Sequence, residues 1–161
     1  MKLIHPFSLV IAGCQGSGKT FLAKRIVNYL EGYDIKKVGI DPNNEYNLDK
    51  FLDPTKNIPE YSNSVYIFED ATGYFSTSQG KNSLLYLITR RRHLNNSFIF
   101  IFHSIRSVPL YISDFVTHYA LFRLTDRKDV LIEKLNSLNI NVNPEQLLTI
   151  ETRKFVFVSK I

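Results

Sequence analysis

The segment Gly13–Thr20 carries residue types whose spacing suits phosphate chemistry. It reads GCQGSGKT and matches the pattern G-x-x-x-x-G-K-[ST] at every fixed position. Glycines let the backbone wrap around phosphates so that successive N–H groups point inward, and a helix that begins here adds its free N–H groups and positive dipole end. The segment is therefore predicted to be a phosphate-binding loop. The expected binding residues are Gly13, Gly16, Ser17, Gly18, Lys19 and Thr20.

Two side chains of this loop have separate expected roles. Lys19 supplies positive charge to the β- and γ-phosphates, and the Thr20 hydroxyl is a ligand for Mg²⁺. The predicted cofactors are therefore ATP and Mg²⁺. The alternative, a glycine-rich turn without a ligand, is disfavoured because an apolar strand precedes the segment and a helical pattern follows it.

A pair of carboxylates follows a second apolar run. Glu69 and Asp70 come directly after Val65–Phe68. One carboxylate at such a strand end holds the Mg²⁺ shell, and the next orients and deprotonates a water. The register assigns the metal role to Glu69 and the water role to Asp70. The commoner order is Asp then Glu, so exchanged roles remain open. An acidic pair at this place favours hydrolysis.

Strand and helix patterns alternate along the chain. Strands are predicted at Phe7–Ala12, Lys37–Ile40, Val65–Phe68, Phe98–Phe102, Tyr119–Leu124 and Phe155–Val158. Helices are predicted at Phe21–Leu30, Asn82–Arg92, Asp129–Leu138 and Pro144–Leu148, with a short helix or turn at Pro109–Phe115. Residues 47–63 and Gly73–Gly80 are predicted to be irregular. This alternation predicts an α/β fold, a mainly parallel sheet with helices on both faces, in a single domain spanning residues 1–161.

The composition is compatible with a negatively charged binding partner but does not identify one. The chain has 161 residues and a net charge of +5, which suits a polyanionic partner and equally suits a solvated basic surface. Its one cysteine excludes an internal disulfide framework and favours a reducing compartment. No apolar segment approaches the roughly 20 residues that span a bilayer.

The order of these segments resembles the FtsK–HerA superfamily of DNA-pumping ATPases, especially the small genome-packaging ATPases of membrane-containing and related viruses. The phosphate loop and Glu69-Asp70 carry the resemblance together with Ile40–Tyr46, which is similar to the family's D-P-x-x-E-Y/F segment. A basic helix end at Arg90–His93 and an apolar strand ending in His103-Ser104 follow in the same order. The stretches Ile105–Pro109 and Tyr119–Leu124 extend the resemblance over roughly residues 7–125. The chain departs from the family in having Glu-Asp for Asp-Glu and His for Gln.

The resemblance implies a RecA-like/ASCE P-loop fold and an ATPase that assembles as a homo-oligomeric ring, a pentamer or hexamer. It implies translocation of double-stranded DNA, docking at a viral capsid vertex, and a location in the host cytoplasm or the virion without a membrane span. Two other functions are weighed against it. A small nucleoside or nucleotide kinase is disfavoured by Glu69-Asp70 and His103-Ser104. A Zot-like assembly ATPase is disfavoured because such proteins normally carry a membrane-spanning segment, and no apolar segment of this sequence is long enough to form one.

Further side chains complete the candidate site. His103 ends a strand expected to lie beside the phosphate loop, where it senses the γ-phosphate or the attacking water; the alternative is a histidine that caps a core strand. Tyr74, Phe75 and Lys81 flank the loop Gly73–Gly80, which either grips a phosphate backbone or is an ordinary surface loop.

Three arginines, Arg90–Arg92, end the predicted helix before the fourth strand. Cations stabilise a helix C-terminus by about 0.3–1 kcal/mol, which is one explanation of the cluster. The resemblance implies the other, an arginine finger that reaches the ATP of a neighbouring subunit. Arg92 is the first candidate and Arg91 the second, with Arg106 as a further one.

Overall fold

Seven strands form one sheet, six at the predicted apolar runs and one, β3, outside them. The computed structural model describes residues 3–70, 72–75 and 77–160, and only the backbone of Gly73 and Tyr74. The strands are β1 (Ser8–Ala12), β2 (Lys36–Ile40), β3 (Lys50–Phe51), β4 (Ser64–Phe68), β5 (Ser97–Phe102), β6 (His118–Leu121) and β7 (Val156–Ser159). The helices are α1 (Lys19–Leu30), α2 (Thr72–Phe75), α3 (Ser78–Thr89), α4 (Leu110–Ser113), α5 (Lys128–Ser137) and α6 (Pro144–Thr149).

The strand order in the sheet is β3-β2-β4-β5-β1-β6-β7. All neighbours pair in parallel except β7, which runs antiparallel to β6. One strand, β5, therefore separates the strand before the phosphate loop from the strand before the acidic pair. This confirms the predicted fold class, a mainly parallel α/β sheet.

Side chains of the strands alternate between two hydrophobic cores, one on each face of the sheet. In β1, Leu9 and Ile11 pack with α1, whereas Val10 and Ala12 join the core that contains residues of α3 and α5. Successive strand residues point to opposite faces, so a strand buried on both sides must be apolar throughout. The fully buried β1 and β5 follow this rule after their first residues, Ser8 and Ser97, and the predicted covering of both faces is confirmed.

The predicted loop Gly73–Gly80 is instead largely helical. Helix α2 occupies Thr72–Phe75, and α3 begins at Ser78, four residues before the predicted start. The Thr77 side chain accepts a hydrogen bond from the N–H of Gly80 and caps this earlier start, since a side-chain oxygen satisfies a free N–H of the first turn. Ala71 and Ser76 lie outside the described residues.

Two shorter differences have equally local causes. Strand β3, in the stretch predicted to be irregular, has two exposed residues paired with β2, too few to show an alternating pattern. Helix α3 ends at Thr89, so Arg90–Arg92 lie in the turn after the helix. Among the described residues, no helix combines the length and apolar character needed to cross a membrane.

The packing of β2 on β4 generates a test of the fold. A Cβ added at Gly39 would lie 2.5 Å from the carbonyl oxygen of Ile67, its partner on β4. We expect Gly39→Ala to lower the free energy of unfolding by about 1–3 kcal/mol, because the paired backbone must shift. Denaturant unfolding measures this.

Gly32→Ala is the matched control. A Cβ at Gly32 meets nothing within 4 Å, so this variant should be at least as stable as the wild type. Equal stability of the two variants would contradict the close approach of β2 to β4.

Candidate active site

The candidate site lies along the edge where the parallel strands end. The loop Gly13–Thr20 follows β1, His103 follows β5, and Glu69 follows β4. Because β5 pairs with both neighbours, His103 stands between the phosphate loop and the acidic pair. The sheet therefore brings together the loop, the carboxylates and the histidine that the sequence analysis singled out. Crevices at the carboxyl ends of strands are the usual ligand sites of open α/β sheets.

Glycines shape the phosphate loop in two ways. Gly16 and Gly18 have φ values of +73° and +109°, in the region that disfavours other residues. Gly13 is needed for space, since an added Cβ would lie 2.6 Å from Cβ of Phe122 and 2.9 Å from Oγ of Ser17. The N–H of Cys14 donates to the carbonyl of Arg123 at 2.8 Å, which fastens the loop to the end of β6.

Lys19, the first residue of α1, is buried with 5% of its surface exposed. Its Nζ donates to the carbonyl of Cys14 at 2.9 Å, so the side chain folds back over the loop. Burial lowers the pKa of Lys19, while the charges of Glu69, Cys14 and Asp70 act to raise it. Thr20, half-buried, follows in the first turn of α1.

Ser17 and Gly18 connect the loop to a distant segment. The carbonyl of Ser17 accepts the N–H of Arg153 at 2.9 Å, and an added Cβ at Gly18 would lie 3.4 Å from Cα of Arg153. The Ser17 hydroxyl is buried, and no group within the described ranges hydrogen-bonds it. Arg153 was missed by the sequence analysis because nothing local links the end of the chain to residue 17.

Glu69 is held by Tyr46, the last residue of the segment Ile40–Tyr46. It is 6% exposed, and its carboxylate accepts a hydrogen bond from the hydroxyl of the buried Tyr46. Burial raises the pKa of Glu69, and the Tyr46 hydrogen bond and the charge of Lys19 oppose that rise. Burial also raises the pKa of Tyr46, so its hydroxyl stays protonated and donates.

Asp41 explains why Tyr46 reaches Glu69. Its carboxylate accepts the N–H groups of Glu45 and Tyr46 at 3.0 and 2.8 Å, closing the turn after β2. Since β2 neighbours β4, that turn delivers the tyrosine to the carboxylate. The Asp-Pro segment is thus a support for Glu69.

Asp70 and His103 form a second, more open pair. Nε2 of His103 lies 3.8 Å from Oδ1 of Asp70, and about half of each side chain is exposed. Asp70 has a φ of +47°, an uncommon value for a residue other than glycine. Ser104 donates from Oγ to Asp126 at 2.8 Å and caps the N–H of Arg106, which fixes the chain just after His103. The acidic pair is therefore split between a buried carboxylate and an exposed one.

The three arginines lie away from this site. They precede β5, whereas His103 follows it, so they occupy the opposite edge of the sheet. Arg91 is 9% exposed and donates to the carbonyl of Phe115, and Arg90 pairs with Glu60 at 2.7 Å. Arg92 is exposed. Arg106 is exposed as well, and it follows β5 on the edge that carries the phosphate loop.

The side chains around Gly73–Gly80 that were considered for binding a phosphate backbone differ in their surroundings. Phe75 is buried at 3% exposure and packs edge-on against Phe68 and Phe100, so it cannot contact a nucleic acid. Lys81 lies over the ring of Tyr111. The side chain of Tyr74 lies outside the described residues.

The donor set fits ATP and Mg²⁺. A cleft of about 340 Å³ opens on the phosphate loop and is lined by Gly16, Gly18, Lys19, Thr20, Phe21 and Arg153. The Thr20 hydroxyl and the Glu69 carboxylate could offer oxygen ligands, which Mg²⁺ prefers, and this ion takes most of its remaining ligands from phosphates and water. Within the described part of the chain, three or more His, Cys, Asp or Glu side chains nowhere converge as a metal site.

Comparison with known proteins establishes the class of fold. The structure is similar to the genome packaging NTPase B204 of Sulfolobus turreted icosahedral virus 2, with a TM-score of 0.74 and 16% identity, covering 98% of this chain and 94% of that one. It is similar to B204, the DNA-packaging ATPase of Sulfolobus turreted icosahedral virus, with a TM-score of 0.75, 12% identity, and coverage of 97% and 94%.

A third similar structure is the cytoplasmic domain of the type VII secretion ATPase EccC of Thermomonospora curvata. Its TM-score is 0.66 at 15% identity, covering 97% of this chain and 22% of that chain. No protein-family model and no curated protein matches the chain in sequence. The chain thus has the P-loop NTPase fold, and its resemblance to small viral packaging ATPases is confirmed at the level of the fold.

The Tyr46–Glu69 hydrogen bond generates a pH prediction. Removing the hydroxyl in Tyr46→Phe takes away an influence that lowers the pKa of Glu69, so the carboxylate protonates at a higher pH. If ionised Glu69 is needed for turnover, the acidic limb of the pH–rate profile should move up by about one pH unit, since a hydrogen bond to a charged group contributes about 1.5 kcal/mol.

Tyr33→Phe is the control, because Tyr33 is 56% exposed and remote from Glu69. Its profile of kcat/KM against pH at saturating Mg²⁺ should match that of the wild type. An unchanged acidic limb in Tyr46→Phe would show that the hydroxyl does not tune this carboxylate.

Proposed function

We propose that the protein is an ATP hydrolase that works as a homo-oligomeric ring and moves double-stranded DNA. One observation carries the enzymatic part of the proposal. The phosphate loop follows β1, Glu69 and Asp70 follow β4, and His103 follows β5, the strand between β1 and β4, with its Nε2 atom 3.8 Å from Oδ1 of Asp70. Residues suited to phosphate binding, metal ligation and water activation therefore lie at one edge of the sheet, which supports the proposal.

Each group has a part in hydrolysis. The loop N–H groups and Lys19 bind the β- and γ-phosphates and stabilise the charge that develops on their oxygens. Thr20 and Glu69 would hold Mg²⁺, which would supply positive charge to the phosphates. Asp70 accepts a proton from the attacking water as the water oxygen bonds to the γ-phosphorus and the bond to the ADP oxygen breaks. His103 donates a hydrogen bond to the γ-phosphate or to that water.

The division of labour within the acidic pair follows from burial. Glu69 is enclosed and held by Tyr46, which suits a fixed metal ligand. Asp70 faces solvent beside His103, which suits a group that must receive a water molecule. These surroundings favour Glu69 for the metal and Asp70 for the water.

Lys19→Ala tests the enzyme directly. We expect turnover of ATP to fall by roughly a hundredfold or more, because a preorganised charge at the transferred phosphoryl group is lost. The variant should keep the far-ultraviolet circular dichroism of the wild type. Lys56→Ala, at a lysine that is 76% exposed, is the charge-matched control and should remain active. Full activity of Lys19→Ala would refute hydrolysis at this loop.

The DNA part of the proposal rests on the similar structures and on charge. Two of them are named as genome packaging or DNA-packaging enzymes, and this chain carries a net charge of +5. A pentamer or hexamer around the duplex, docked at a viral capsid vertex in the host cytoplasm or carried in the virion, completes the proposal. The secretion ATPase has the same fold, so stimulation of turnover by double-stranded DNA is the observation that separates packaging from secretion.

The position of Arg92 bears on the ring. It precedes β5, and a six-residue strand spans about 20 Å, so Arg92 cannot reach the phosphates of its own subunit. Its side chain is exposed, unlike that of Arg91. An arginine finger from this cluster must therefore act on a neighbouring subunit, and a head-to-tail contact of that kind closes into a ring.

Mixing two inactive variants tests the shared site. Arg92→Ala should bind nucleotide but lose the rise in turnover with protein concentration or DNA, since an arginine finger contributes on the order of 10³–10⁵ in rate. Mixed with Lys19→Ala, it should regain part of the activity, because one subunit offers an intact loop and the other an intact arginine.

Arg127→Ala, at an arginine that is 81% exposed, should be active by itself. If the mixture stays inactive and wild-type turnover per subunit is constant across dilution, the shared site is wrong. Arg92 then only contributes positive charge near the end of a helix.

A further inference from the structure

The cleft on the phosphate loop is larger than its phosphate-binding part. Of its six lining residues, Gly16, Gly18, Lys19 and Thr20 belong to the loop and are engaged by phosphate and metal in the proposed function. Two remain, Phe21 and Arg153, which come from opposite ends of the chain. They form the part of the cleft beyond the phosphates.

Phe21 is an aromatic ring that the core does not use. It directly follows Thr20 in the first turn of α1 and is 63% exposed, whereas Leu22, the next residue, is buried. The guanidinium of Arg25 lies 5.9 Å from the centroid of the ring. Arg25 does not line the cleft and Phe21 does, so the ring is supported from outside and presents surface to the cleft.

Arg153 is held in place by its backbone and left open at its side chain. Its N–H donates to the carbonyl of Ser17 at 2.9 Å, and its φ of +67° turns the chain sharply there. The residue is exposed, and its guanidinium forms no hydrogen bond or ion pair with any other residue that the structure describes. The backbone of Arg153 is thus fixed beside the loop, and its guanidinium is free to bind a ligand there.

We infer that Phe21 and Arg153 form a nucleobase subsite in which the base stacks between an aromatic ring and a guanidinium. This inference rests on the proposed function, since it extends the same nucleotide site. Both groups bind flat π-surfaces, the ring by stacking and the guanidinium by stacking and cation–π attraction.

The lining also bears on the choice of base. Along the described residues of the cleft, no Asn, Gln, Asp or Glu side chain is present to pair with the edge of a purine. Hydrogen bonds to an edge discriminate strongly between bases, whereas stacking is tolerant because every base has a π-face. The subsite therefore recognises the faces of the base. It should accept adenine and guanine with similar affinity and pyrimidines less tightly.

Equilibrium binding of three probes with Mg²⁺ separates the base from the phosphates. The probes are AMP-PNP, GMP-PNP and inorganic tripolyphosphate, measured by titration calorimetry. In Phe21→Ala we expect AMP-PNP to bind roughly tenfold more weakly, since stacking contributes about that factor, with tripolyphosphate unchanged. Phe21→Tyr keeps the ring and should bind as the wild type does. Tyr29→Ala is the matched control, at a residue 64% exposed two turns along α1 and outside this cleft.

Arg153→Gln should weaken AMP-PNP several-fold and leave tripolyphosphate unaffected. Equal weakening of both probes would overturn the stacking role and make Arg153 a phosphate ligand. An unchanged ratio of AMP-PNP to tripolyphosphate affinity in Phe21→Ala would overturn the subsite, and a preference above tenfold between the two purines would overturn recognition by faces. Wild-type protein that binds none of the probes would instead refute the proposed nucleotide site itself.

Discussion

Burial of the Lys19 amine is the constraint on which the rest of the site depends. A cation with 5% exposure is costly unless opposite charge and hydrogen-bond acceptors surround it. The carbonyl of Cys14 supplies an acceptor, and Glu69 supplies charge. Glu69 is itself buried, so it needs a donor, which is Tyr46, and Tyr46 is positioned by the turn that Asp41 closes. Each of these interactions satisfies a buried polar group of the one before. Together they connect the loop after β1 with the end of β4 and the turn after β2.

The sheet beneath this series is stiffened by aromatic rings on one face. Tyr66 and Phe68 of β4 stack in near-parallel planes on Phe98 and Phe100 of β5, with centroids 5.1 and 5.4 Å apart. Phe75 of α2 closes the same layer edge-on. These rings fill the core directly behind the strand ends that carry Glu69 and His103. A close-packed layer leaves the strands little room to shift, so the backbone at Glu69 and His103 is well positioned.

The sequence pattern predicted those parts of the molecule whose structure depends on residues close together in the chain. The phosphate loop, the strand ending in Glu69-Asp70 and the two-sided sheet all follow from residue types at short spacing. What the pattern missed depends on contacts between distant segments. Tyr46 meets Glu69 across 23 residues, and Arg153 meets Ser17 across the length of the chain. The early start of α3 was missed for a local reason, because Ser, Thr and Gly were taken to mark a loop when Thr77 caps a helix. The roles of the arginines and of His103 stay predictions, since position alone does not assign chemistry.

In the proposed mechanism, the contrast between the two carboxylates would leave an isolated subunit poorly suited to fast hydrolysis. Asp70 and His103 are about half exposed and 3.8 Å apart, so water screens their interaction with each other and with any phosphate between them. Electrostatic stabilisation of a transition state is strong only where water is excluded. In the proposed ring, the neighbouring subunit that contributes Arg92 also covers this open edge. One contact then adds a positive charge and removes water from the reacting groups, which couples turnover to assembly without any change in the fold of the subunit.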